Sequence, residues 1–290
     1  MKKNTVNDIK LNTDSVGFQI RESYKKARTN IIYSIVKKGC KKIAFTSSAK
    51  SEGKTITAVN IAIALAQQVD TRVLIVDCDL RRPRVQSVLD INIGNGITNY
   101  LNFECDISSI INKTKISNLD AICCGTIPPN PSELMTSDNM KELINTLSNK
   151  YDYIIFDTPP VGIVIDSIPV IKQADGVVMI VRDNVTDITE YKKTINILKR
   201  SEANILGIIF NGVESISKHK YGNGYRYDYY GKGKYQYVFK SLIMSGLGGK
   251  MLCQKARLVV LVVMILVRVR VCIMLIELVM PIVFLEDYKI

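Results

Sequence analysis

One short stretch limits the possible folds of this chain more than any other. Residues 48–55 read Ser-Ala-Lys-Ser-Glu-Gly-Lys-Thr. An apolar run from Ile43 to Thr46 precedes them, and a helix-like stretch opens at Lys54. A turn of this kind between a strand and a helix is what a phosphate-binding loop requires. Gly53 lets the backbone approach the phosphates, and the amides at the helix start point at them. Lys54 would reach the β and γ phosphates, and the Thr55 hydroxyl would ligate Mg²⁺. Ser48 stands where the usual pattern has its first glycine. The rival is a chance Gly-Lys-Thr turn, which the flanking strand and helix argue against. Ser48, Ala49, Lys50, Ser51, Glu52, Gly53, Lys54, Thr55 and Ile56 thus form the candidate nucleotide site, with ATP and Mg²⁺ as its ligands.

Two further strands end in carboxylates. Val73-Leu-Ile-Val-Asp77-Cys78-Asp79 places two aspartates two residues apart, on one side of an extended chain. Beside Mg²⁺ and a triphosphate, either can ligate metal or take a proton from an acceptor hydroxyl. The favoured assignment is Asp77 as base and Asp79 as the metal-side carboxylate. Tyr153-Ile-Ile-Phe-Asp157-Thr-Pro-Pro reads as a strand whose aspartate holds a magnesium-bound water. Thr55, Asp79 and Asp157 are therefore the candidate metal residues, and Lys54, Asp77 and Asp79 the catalytic ones. Asn211, at the end of the run Ile205–Phe210, could read a nucleotide base edge or be a plain turn residue.

The rest of the pattern frames these motifs. Strand-like runs lie at Lys42–Thr46, Val73–Val76, Leu119–Cys123, Tyr153–Phe156, Val177–Val181 and Ile205–Phe210. Helical patterns lie at Glu22–Lys38, Lys54–Val69, Ser132–Asn149, Asp166–Gln173 and Asp187–Glu202. In the first of these, Tyr24, Ala27, Ile31, Ile32 and Ile35 recur at helical steps. Strands alternating with helices predict an α/β fold, a doubly wound, mostly parallel sheet with helices on both faces. Ligands in such sheets bind beyond the carboxyl ends of the strands.

The charge balance is basic, +12 over 290 residues, which suits nucleotide, nucleic-acid or anionic membrane partners. Seven cysteines, at 40, 78, 105, 123, 124, 253 and 272, form no CxxC pair and read as reduced thiols. The only histidine, His219, lies in a polar stretch, so histidine-based catalysis is not expected. Residues 1–17 read as a flexible polar arm without the apolar core of a signal peptide.

A phosphate loop, a doubled-aspartate strand and a DTPP strand resemble the deviant P-loop ATPases, which include septum-placing and plasmid-partition ATPases. Ser48 stands where many of them carry a signature lysine. Asp77-Cys-Asp79-Leu-Arg-Arg-Pro, Pro128-Pro-Asn-Pro-Ser-Glu-Leu and the helix segment Arg21-Glu22-Ser-Tyr-Lys25-Lys-Ala-Arg28 resemble the bacterial tyrosine kinases of capsule and exopolysaccharide synthesis, over roughly residues 18–240. In that family a glutamate and two arginines at three-residue steps mediate ring-like self-association. Glu22 and Arg28 match, and Lys25 replaces the first arginine, without its bidentate fork.

The resemblance implies a kinase domain at 18–213 and an autophosphorylation tail at 214–240. Seven of the chain's fourteen tyrosines lie in that tail, Tyr221, Tyr225, Tyr227, Tyr229, Tyr230, Tyr235 and Tyr237, among Gly, Lys and Asp. The rival is a nucleic-acid-binding tail using aromatic stacking with Arg226, Lys232 and Lys234; the kinase reading expects no nucleic acid. It also implies a cytoplasmic protein at the inner face of the membrane, switched on by the cytoplasmic end of a transmembrane activator or polysaccharide co-polymerase. A cognate tyrosine phosphatase would reverse its action. The alternative function is a regulatory ATPase cycling on a membrane or DNA, with water as phosphoryl acceptor.

Residues 241–290 fit neither reading. Leu258 to Val267 is apolar, but Arg268, Arg270, Glu277 and Pro281 break up the chain beyond it. A span needs about 20 mostly apolar residues. The segment reads as the product of a shifted reading frame, with a membrane-associating segment as the alternative.

Overall fold

In the computed structural model the described residues are 15–92, 94–213 and 236–240. They lie within one compact unit, 1–242, and a second unit, 243–290, is outside them. Along the chain run α1 (Ser15–Ser34), β1 (Lys41–Ser47), α2 (Lys54–Ala66), β2 (Val73–Asp77) and α3 (Val85–Leu89). Then come α4 (Ile97–Leu101), α5 (Ile107–Ile110), β3 (Ile111–Lys113), β4 (Leu119–Ile122), α6 (Pro131–Thr136) and α7 (Asp138–Ser148). The rest is β5 (Tyr153–Asp157), α8 (Ile168–Gln173), β6 (Gly176–Arg182), α9 (Ile188–Arg200), β7 (Ile205–Val213) and β8 (Gln236–Lys240).

The strands form one sheet in the order β3-β4-β2-β5-β1-β6-β7-β8. Every pairing from β4 to β7 is parallel; β3 and β8 are antiparallel edges. Strands buried on both faces read as continuous apolar runs, and β2 and β5 do so. Alternation still divides their side chains. Leu74, Val76, Ile154 and Phe156 pack into one core with residues of α6, α7, α8 and α9. Val73, Ile75, Tyr153 and Ile155 pack into the other, against α1, α2 and α3. Phe156 is wholly buried. Phe156→Ala should cost about 3–5 kcal/mol by emptying that space. A lowered urea midpoint with unchanged slope checks this, and an unchanged midpoint contradicts it.

The predicted strands and the doubly wound sheet are present. Tyr24, Ala27, Ile31 and Ile35 bury the inner face of α1, and Ile32 is partly buried. Three expectations need correction. Helix α1 begins at Ser15, inside the expected 1–17 arm, and ends at Ser34, short of Lys38. The stretch 132–149 is two helices. Ser137 has extended backbone, and its hydroxyl accepts the Met140 N–H, so it starts α7 as an N-cap. Residues 236–240, expected in a loosely held tail, form β8 on β7, where Val, Phe and Tyr suit an edge strand.

Candidate functional site

The three motifs converge at the carboxyl ends of adjacent central strands. Parallel register sets Phe45 of β1 opposite Asp157 of β5, and Asp157 opposite Asp77 of β2. Hydrogen bonds then knit the strand ends together. The Thr158 hydroxyl donates to the Phe45 carbonyl at 2.9 Å, and the Thr46 hydroxyl donates to the Pro159 carbonyl at 3.0 Å. The Cys78 N–H donates to the Asp157 carbonyl at 2.8 Å. Gly162 lies against the loop so closely that an added Cβ would sit 2.3 Å from the Ser48 carbonyl oxygen.

The loop between β1 and α2 turns back at Ser51 and Gly53, with φ of 64° and 87°. No side chain caps the start of α2, so its first amides are left for a ligand. The loop is clamped from the far side of β1. The Asn211 amide donates to the Glu52 carbonyl at 3.0 Å, and the Arg182 guanidinium donates to the Ser51 carbonyl at 2.8 Å. The buried Glu52 carboxylate accepts the Ala49 N–H at 3.0 Å and the Thr186 hydroxyl. Asn211 therefore anchors the phosphate loop. Ser48 is buried, while Lys50 and Ile56 are exposed and Thr55 is partly exposed at the first turn of α2.

Lys54 points into the carboxylates. Its Nζ lies 2.8 Å from Asp157 Oδ1 and 3.6 Å from Asp79 Oδ2. Burial pulls the pKa of this ammonium down, but Asp157 and Asp79 outweigh it and leave it raised. Asp77 is completely buried. Its Oδ1 accepts the Asp79 N–H, and its Oδ2 accepts the N–H groups of Arg84 and Val85. Burial and then the Asp157 charge push its pKa up to about 8, against those amides and Lys54. Asp79 is raised chiefly by burial, with Lys54 opposing, and its Oδ1 accepts the Arg82 N–H.

This shift makes stability pH-dependent. Between about 3.8 and 8 the folded chain holds a proton on Asp77 that the unfolded chain has lost. The folded state binds more protons there, so this group's stabilising contribution falls as pH rises across that window. Without nucleotide, the urea midpoint of wild type relative to Asp77→Asn should drop between pH 5 and pH 8. Parallel curves for the two proteins would contradict it.

The site suits a magnesium–triphosphate. Three buried carboxylates face one ammonium, and Asp157 Oδ2 is buried without a hydrogen-bond partner. Among the described residues no three acidic, His or Cys side chains form a complete metal cage. Mg²⁺ takes few protein ligands and shares its shell with phosphate and water.

An AAA-domain family matches residues 40–207. The tyrosine-protein kinase YwqD of Bacillus subtilis is 36% identical, over 72% of this chain and 86% of that one. The chain belongs to the bacterial tyrosine-protein kinase family. The kinase domain of Escherichia coli tyrosine kinase ETK superposes with a TM-score of 0.67 at 26% identity, covering 78% of this chain and 87% of that one. The septum site-determining protein MinD of Pyrococcus horikoshii, complexed with Mg-ADP, shares the fold at a TM-score of 0.50 and 23% identity, over 58% of this chain and 69% of that one.

Other residues expected to matter in this bacterial tyrosine-protein kinase fall as described next to their partners. Lys25 pairs with Glu22 at 2.8 Å along the same helix. The Arg28 guanidinium donates to the Ala64 carbonyl at 2.9 Å, at the end of α2. Cys40, Cys78, Cys105, Cys123 and Cys124 are free thiols. Burial pushes Cys123 and Cys124 up to about 12, so they stay protonated and inert. Among the described residues no helix is long and apolar enough to cross a membrane. Tyr221, Tyr225, Tyr227, Tyr229, Tyr230 and Tyr235 lie outside the described residues, as do His219 and 241–290; Tyr237 is on β8.

Arg81, Ser132, Asp166, Arg182 and Thr186 are the site residues that motif reading missed. The Arg81 Nε donates to Asp166 Oδ2 and the Ser132 hydroxyl donates to Asp166 Oδ1, both at 2.5 Å. Burial works against ionising Asp166, but these two hydrogen bonds and the Arg81 charge together outweigh it and lower its pKa. Only the neighbouring motifs, DLRRP and PNPSEL, hinted at two of these five.

Proposed function

We propose that this chain is an ATP-dependent protein-tyrosine kinase that phosphorylates the tyrosine cluster of a second copy, and thereby regulates capsular or exopolysaccharide synthesis and export. The observation that carries the reading is Lys54 wedged between Asp157 and Asp79 at the end of the phosphate loop. The loop amides and Lys54 take up charge on the phosphoryl group in transit, which is most of what this chemistry asks of a protein. Thr55, Asp79 and Asp157 would hold Mg²⁺, which supplies further charge neutralisation when bound.

Asp77 takes the proton of the incoming tyrosine hydroxyl. A carboxylate whose pKa is lifted to about 8 is a stronger base once ionised, so the step should quicken as pH rises towards 8. Its three amide bonds occupy three of about four acceptor positions and fix its direction. Residues 18–213 are the catalytic domain, 214–240 the substrate tail, and 241–290 a segment from a shifted frame. Asn211 contributes to the nucleotide site through its hold on the loop. Glu22, Lys25 and Arg28 serve ring-like self-association. The cytoplasmic end of a membrane activator brings the protein to the inner face of the membrane, and a tyrosine phosphatase resets it.

The test incubates the full chain with ATP and Mg²⁺, with its activator segment present. Phosphotyrosine and released inorganic phosphate are both measured. Phosphotyrosine that disappears in Asp77→Asn is expected. Phosphate release without phosphotyrosine would replace this reading with a regulatory ATPase.

A further inference from the structure

Asp166 is nearly fully buried, yet it belongs to neither the phosphate loop nor the doubled-aspartate strand. One carboxylate oxygen takes Arg81, in the loop after β2; the other takes Ser132, at the start of α6. Asp166 itself follows β5. Asp77 and Asp157 are register partners at the ends of β2 and β5, so the Arg81–Asp166 pair joins the two loops just beyond them. That is where ligands of such sheets bind.

The bond to Asp166 uses only the Nε of Arg81. The side chain is 48% exposed, and its two terminal amino groups make no hydrogen bond among the described residues. Asp79, which feels the Arg81 charge, is also 3.6 Å from Lys54. A guanidinium with a pinned Nε and a free outer edge is built to take two oxygens of a phosphate. An ordinary surface pair contributes little and leaves both partners wet. Here one partner is buried and satisfied at both oxygens, and the other is aimed outward.

The side of the sheet narrows the ligand. Arg182 and Asn211, which clamp the phosphate loop, come from β6 and β7, on one side of β1. Arg81 and Asp166 follow β2 and β5, on the other. With nucleotide phosphates on the loop, the β2–β5 side is left to the acceptor.

We infer that Arg81 is an anion-binding residue on the acceptor side of the crevice, taking the phosphate of the tyrosyl phosphate as it forms, and that Asp166 is the residue that positions it. The inference rests on the kinase reading. The shared chemistry is a terminal phosphate dianion, which either the acceptor's product or the nucleotide could supply.

Calorimetry on the full chain separates the two sources. Phenyl phosphate, the probe for tyrosyl phosphate, is titrated into protein saturated with ADP and Mg²⁺, and ADP is titrated separately. Arg81→Gln and Asp166→Asn should each weaken phenyl phosphate by about tenfold or more, the worth of a charge-assisted hydrogen bond. ADP affinity should stay at the wild-type value, which also reports that the variants fold. The double variant should be no weaker than Arg81→Gln alone, and Asp166→Glu should recover part of the loss. Unchanged phenyl phosphate affinity in Arg81→Gln would overturn the inference, as would no binding by wild type. A matching fall in ADP affinity would move Arg81 to the nucleotide and overturn the acceptor assignment. Losses that add in the double variant would remove Asp166 from its role. Phosphotyrosine formation by wild type is scored in parallel. Its absence would count against the kinase reading, whereas its presence beside an unaffected Arg81→Gln would sink this inference alone.

Discussion

Lys54→Met is expected to lose phosphoryl transfer by about 10²–10³-fold or more, the effect of removing one preorganised charge donor from a transition state. It should also lose stability, for a separate reason. Lys54 is the ammonium among Asp157, Asp79 and Asp77, and its removal leaves buried carboxylates facing one another. Breaking a buried pair from one side costs about 3–5 kcal/mol. Part of that cost is relieved by proton uptake, because crowded carboxylates neutralise rather than stay charged. The variant should therefore regain stability as pH falls, while its activity does not return. Turnover is followed by phosphotyrosine formation and stability by urea unfolding at pH 6 and 8. A variant as stable as wild type at pH 8 would mean that Lys54 does not hold the carboxylates together.

Gly53→Ala should abolish tight nucleotide binding. At φ of 87° an alanine is strained, by about 1–2 kcal/mol. Its Cβ would also lie 1.8 Å from the Asn211 amide nitrogen. Asn211 must then move, and the bond that holds the Glu52 carbonyl breaks. A shift of the loop by an ångström is enough to cost about 100-fold where phosphate geometry matters. Gly39→Ala is the control. Its φ is 76°, but nothing lies within 4 Å of the added Cβ. It should lose about 1 kcal/mol of stability and no ADP affinity. ADP titration of both variants checks this. Equal affinities would show that the Asn211 contact does not shape the loop.

Much of this was legible because the chemistry sits at strand ends. Asp77 and Asp157 each close a run of buried apolar residues, and Gly-Lys-Thr opens a helix one short loop after another such run. A parallel sheet puts those ends on one edge, so order along the chain was enough to bring the motifs together. The connection from Leu80 to Asn118 was opaque. Helices α3, α4 and α5 are too short to show a helical period, and β3 is a three-residue edge. Ser137 was hidden because one extended residue interrupts two helices whose apolar faces nearly continue each other.

The loop clamp and the contacts of Asp166 were illegible for another reason. Arg182, Thr186 and Asn211 reach Glu52 and Ser51 across more than 130 positions of sequence. Asp166 reads as an ordinary residue before a helix, and only the fold brings Arg81 and Ser132 to it. Asn211 read as either a reader of the base edge or a plain turn residue, and its hold on the Glu52 carbonyl was not legible.

The proposed function stands on transfer of phosphate from ATP to the tyrosine cluster of another copy. Its most direct measurement mixes wild type with a mass-distinguishable Lys54→Met chain, adds ATP, Mg²⁺ and the activator segment, and maps phosphate by mass spectrometry. Phosphate is expected on Tyr221, Tyr225, Tyr227, Tyr229, Tyr230, Tyr235 or Tyr237 of the inactive chain, and none when that chain is incubated alone. ATP consumed with every one of those tyrosines unmodified would contradict it.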